Sequence, residues 1–125
     1  MLLFRGADWD EGLSSEELQE AMGKITTWFE ELQQQGKVRG GQPLAREGGI
    51  VSGKKGRAVA DGPFAESKEA VGGYLLLEAD DLEEAIAIAK ACPTLKYGIS
   101  IEVRPVLEEC PIFQRARERQ ALAMA

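Results

Sequence analysis

Apolar residues at Leu18, Met22, Ile25, Phe29 and Leu32 recur at intervals of 4, 3, 4 and 3, the spacing of one face of an α-helix. Ser14 with Glu17 three residues later has the form of a capping box, and Gly36 stands where a left-handed residue would end the helix. The pattern predicts a helix over about residues 15–35. A helix with a single apolar stripe must lie on something, and a chain of 125 residues has room for one core. Strands supply the surface. Met1 to Gly6 is a short apolar start, Tyr74 to Leu77 is a continuous apolar run, and Ile99, Ile101 and Val103 alternate with Ser100, Glu102 and Arg104. A second helix is predicted from Asp80, capped by Asp80 with Glu83, presenting Leu82, Ala85, Ile86 and Ala89 on one face and stopping near Pro93.

Between the first helix and the middle strand, residues 37–60 are Gly-rich and carry Lys37, Arg39, Arg46, Lys54, Lys55 and Arg57 against Glu47 alone. Short apolar pieces at Pro43 to Ala45, Ile50 to Val51 and Ala58 to Ala60 surround SGKKG, which reads as a hairpin turn. Residues 61–85 reverse the sign, with eight acids against Lys68, so the two segments can attract each other. The resulting order is βαββαβ: an α+β, ferredoxin-like antiparallel sheet with both helices on one face. We assign residues 1–106 to this domain and 107–125 to an extension, a short helix or frayed tail.

Composition removes whole classes of chemistry. There is no histidine, so no His-based triad or His-ligated metal can form. Cys92 and Cys110 stand apart, each before a proline, and are expected to be buried reduced thiols and not metal ligands. A net charge of −6 argues against nucleic acid and anionic membrane as partners. No apolar run or basic leader suggests a span or signal peptide, and a cytoplasmic location is expected. Residues 48–55 fit G-x-x-x-x-G-K, but Lys55 occupies the magnesium-binding position, no strand leads in and no helix follows, so nucleotide binding is not expected.

With helices on one side only, the other face of the sheet must be polar or covered. Period 2 puts Tyr74, Leu76, Glu78, Ser100, Glu102 and Arg104 there, a mixture that suits a partner sheet across a half-polar cavity. A symmetric homodimer is therefore expected. Arg104 is a candidate fork for a carboxylate or phosphate ligand, or the partner of Glu102 in an ion pair, and Tyr74 is a candidate ligand contact or interface aromatic. Lys68, among Glu66 and Glu69, is a candidate anion-holding ammonium or a plain surface charge. Gly72-Gly73 marks a bulge or a close backbone approach.

The stretch DGPFAESKEAVGGY at residues 61–74 resembles the signature of the DGPF, or YCII-related (YciI-like), family of small bacterial proteins. The resemblance extends to LLFRG at 2–6, GQPL at 41–44, DLEEAIAIAKACP at 81–93 and SIEVRPV at 100–106. It implies a ferredoxin-like subunit that dimerises into an α+β barrel; with the half-polar open face of Tyr74 and Arg104, the first reading is a cofactor-free domain that binds a small molecule, anionic ones included, in the barrel cavity. Some members have been suggested to be enzymes through a His–Asp pair in a cleft, and related domains occur beside sigma factors. Of that pair only an aspartate carries over here, Asp61 within the motif. Asp61 reads first as turn chemistry with Gly62 and Pro63; its chemical reading is a general base of a cofactor-free lyase, isomerase or oxygenase. A regulatory interaction module is the third reading.

Overall fold

The computed structural model describes residues 1–6, 8–61 and 70–124, Asp61 by its backbone alone. Six strands, β1 (Leu2–Arg5), β2 (Val38–Pro43), β3 (Gly49–Ser52), β4 (Ala58–Asp61), β5 (Val71–Leu77) and β6 (Ser100–Val103), accompany helices α1 (Ser15–Gln34), α2 (Leu82–Lys90) and α3 (Pro111–Met124). A 3₁₀ turn at Pro93–Tyr97 follows α2. The main sheet is antiparallel in the order β2-β5-β1-β6, the strand order expected of a ferredoxin-like layout, and β3-β4 form a separate two-stranded ribbon across the SGKKG turn.

The α1 helix begins and ends as its sequence demands. Ser14 Oγ accepts from the Glu17 amide at 3.1 Å while Glu17 Oε1 accepts from the Ser14 amide at 3.1 Å. At the other end Gly36 adopts φ +71°, and its amide reaches Gln33 O while Lys37 N–H reaches Leu32 O, which satisfies two orphan carbonyls. Its buried face is Ala21 and Leu32 with half-buried Ile25, Trp28 and Phe29, so the stripe is rotated slightly from the predicted one and Met22 is left exposed. Ala21 takes the buried position because its small side chain lets the helix approach the sheet. In α2 the capping pair is Asp81 with Glu84, one residue later than Asp80 with Glu83, because the chain must leave β5 and turn before it can coil.

Leu2, Leu32, Leu75 and Ala89 form the core, with Leu77, Ile101, Val103 and Phe4 packed against it. The predicted inward set from β5 and β6 is thus borne out. The basic and acidic middle segments do meet: Lys37 pairs with Glu84 at 3.1 Å, and Arg39 with Glu78. The predicted Glu102–Arg104 pair is not what forms. Glu102 instead bonds Arg5 at 3.2 Å, since β1 lies beside β6 and brings Arg5 diagonally across the ladder. Cys92 is buried, whereas Cys110 is exposed just before α3, contrary to the expectation of two buried thiols. The extension is a 14-residue helix whose described side chains are all exposed.

Glu84 gives the fold a pH dependence of known sign. The Asp80 amide, and after it Lys37, hold its carboxyl below the usual carboxylate value. A depressed carboxyl pKa stabilises the folded state above the unfolded value of 4.5, and that contribution is lost as pH falls through the folded pKa. Thermal melts should therefore show wild type above Glu84→Gln at pH 7, with the gap closing towards pH 3. Equal melting temperatures at pH 7 would refute it.

Candidate functional site: an aromatic cleft under the first helix

Gly41 and Gly73 lie on the inward face of β2 and β5, where side chains would otherwise fill the space beneath α1. The result is a cleft of about 470 Å³, within the size range of small-molecule sites. From above, α1 supplies Ile25, Trp28 and Phe29; from below, the sheet supplies Phe4 and Leu75. Cys92 and Thr94 at the 3₁₀ turn, with Trp9 and Pro43, also line the cleft. Both tryptophans of the chain line this one cleft.

Both tryptophans are held by further contacts. Trp28 Nε1 donates to Ile88 O at 3.3 Å, which fixes the indole against α2. Trp9 stacks on Tyr97 with ring centroids 5.3 Å apart and planes 24° from parallel. Lys96 places its ammonium 5.8 Å from the centre of the same Tyr97 ring. Asp8, with φ +60°, turns the chain into Trp9, and its carboxylate meets the Arg46 guanidinium. That ion pair ties the loop after β1 to the segment after β2. Also lining the cleft, Thr94 Oγ1 and Cys92 Sγ lie 3.1 Å apart, both residues more than nine-tenths buried.

Of the four residues singled out from sequence, the structure describes the side chains of Tyr74 and Arg104, and these lie apart. Tyr74 borders the cleft in the middle of β5, but its ladder partners are Leu3 and Gln42, and alternation turns its side chain to the face opposite Leu75. Arg104 is exposed beyond β6, where its amide donates to Met1 O at 2.9 Å. It lines a separate groove of about 290 Å³ with Asp80 and Asp81 at the start of α2. Asp61 closes β4 opposite Gly49 in the ribbon; its side chain, and Lys68 entirely, lie outside the described residues. Sequence reasoning did not single out Trp9, Trp28 or Thr94. The available signal was that one of the chain's two tryptophans lies within the amphipathic helix and the other shortly before it.

The described chain is an α+β domain with a four-stranded antiparallel sheet and an apolar cleft beneath its first helix. The chain belongs to the YCII-related domain family, whose profile matches residues 4–109. Among solved structures, 5-chloro-2-hydroxyhydroquinone dehydrochlorinase (TftG) from Burkholderia phenoliruptrix AC1100, in complex with 2,5-dihydroxybenzoquinone, is similar at 17% identity. That similarity covers 86% of this chain and 94% of the other, with a TM-score of 0.44. No curated protein matches the chain. No described helix is long and apolar enough to cross a membrane.

Proposed function

We propose that this YCII-related domain binds a small planar molecule in the cleft between α1 and the sheet. One observation carries the reading: Trp9, Trp28, Phe4 and Phe29 converge on one glycine-floored space of about 470 Å³. Ring faces at this density give large contact area at little entropic cost, and their quadrupoles favour stacked or edge-on aromatic guests. The opposite face of the sheet supports a second element of the proposal, pairing of two copies. Leu3, Tyr74 and Leu76 are half-buried there beside the Arg5–Glu102 pair, and a two-fold partner would cover them from the same surface.

Titration with N-phenyl-1-naphthylamine, a neutral apolar fluorophore, tests the site. The expected result is a saturable rise in probe fluorescence at one probe per chain, weakened at least tenfold in Trp9→Ala. Sedimentation of the same samples reads the pairing. Absence of saturable binding, or affinity unchanged in Trp9→Ala, would overturn the assignment of the cleft.

A further inference from the structure

Among the described residues that line the cleft, Thr94 and Cys92 form a buried polar pair. Thr94 Oγ1 and Cys92 Sγ are 3.1 Å apart, and either atom can donate to the other. Hydroxyl and thiol together bring two hydrogens, and their mutual bond uses one. The second has no protein acceptor among the described residues, although Thr94 is 7% and Cys92 5% exposed. An uncommitted donor at such a site is costly unless something inside the cavity accepts it. Thr94 is the stronger donor of the two, since a thiol hydrogen bonds only weakly. When an acceptor enters the cleft, the favoured arrangement has Cys92 donating to Thr94 Oγ1 and the threonine hydroxyl donating to that acceptor; otherwise the hydroxyl donates to Cys92 Sγ and only the weak thiol hydrogen is left over.

We infer that Thr94 is the specificity-determining contact of the cleft, and that the ligand is an aromatic ring compound carrying one uncharged oxygen acceptor, of the aryl ether, phenol or aryl ketone kind. This rests on the cleft being the binding site. The aromatic walls take the ring, and Thr94 orients it by the single polar atom that the wall can satisfy. An oxygen acceptor without such a donor loses its hydrogen bonds to water on entry, so the site discriminates by oxygen position more than by ring size.

Displacement of N-phenyl-1-naphthylamine by 2-methoxynaphthalene and by 2-ethylnaphthalene isolates this contact, because the two differ by an ether oxygen in place of a methylene. Wild type is expected to bind the ether at least as tightly as the hydrocarbon. In Thr94→Val the ether should weaken about tenfold relative to the hydrocarbon. Cys92→Ala should keep the wild-type preference, since the threonine hydroxyl remains. A wild type that prefers the hydrocarbon overturns the inference and leaves the cleft assignment standing, and it decides the matter even if Thr94→Val does not fold. A preference that survives Thr94→Val also overturns it. If neither naphthalene displaces the probe although the probe binds, the class of ligand is wrong; if the probe itself does not bind, it is the cleft that fails.

Discussion

Leu2→Ala is expected to cost about 3 kcal/mol of folding stability, in the middle of the range for large-to-small core substitutions. Leu2 is fully buried, at 0% exposure. It sits on β1, which has a neighbour on each side, and its ladder partners are Leu75 and Val103, both inward-facing. With Leu32 from α1 and Ala89 from α2 above it, the truncated site is walled by two strands and two helices and has little freedom to collapse. For a chain of this size the loss corresponds to a fall in melting temperature of about 10 °C. Urea unfolding should show a lower midpoint with an unchanged slope, because the surface exposed on unfolding stays the same. Leu2 does not line the cleft, so probe affinity of the folded Leu2→Ala protein should match wild type. A midpoint shift worth less than about 1 kcal/mol would show that the core is not organised around this residue.

That substitution targets the part of the molecule that was legible from sequence. Ile101 and Val103 alternate with charged neighbours, and a period-2 pattern leaves no choice about which side faces in. The long stripe from Leu18 to Leu32 likewise specified a helix and its approximate face. What was not legible depended on partners distant in sequence. The strand β2 reads VRGGQP, with two adjacent glycines and a terminal proline, and no local propensity would make it a strand. It is one because β5 offers a ladder edge, and its pairing with Leu75 and Leu77 is a tertiary fact. Arg5 as the partner of Glu102 belongs to the same class, since nothing local says that β1 inserts between β5 and β6.

The cleft was invisible for a different reason. It is made by what β2 and β5 lack, and a glycine in a strand announces a bulge or a close approach without saying which side has been left open. The notation of polar and apolar positions also hid Trp28, which falls beside the stripe drawn through Met22 and Phe29. The charged and phenolic residues on the opposite face of the sheet are legible because alternation marks an open face, whereas no local pattern marks a void.

Gly41 is where the void and the fold meet, and its substitution has the second large effect. A Cβ built on Gly41 would stand 2.6 Å from the Tyr74 carbonyl oxygen and 3.1 Å from the Leu75 Cα. Both are backbone atoms of the paired strand, so no rotamer change relieves the contact; β2 must shift away from β5 and lengthen the ladder. Alanine in place of an unstrained glycine stabilises by up to about 1 kcal/mol through the unfolded chain. Here overpacking against backbone outweighs that gain, and Gly41→Ala is expected to cost about 2 kcal/mol net. Gly23 provides the contrast within the same chain. It lies in α1 with nothing within 4 Å of its would-be Cβ, so Gly23→Ala should stabilise by about 0.8 kcal/mol. Because Gly41, Gln42 and Pro43 border the cleft, a displaced β2 should also weaken binding of N-phenyl-1-naphthylamine, an effect that Gly23→Ala should not share. Urea midpoints and probe titrations on the two variants read both effects, and a Gly41→Ala protein as stable as wild type with undiminished probe affinity would mean that β2 is free to move and does not build the edge of the site.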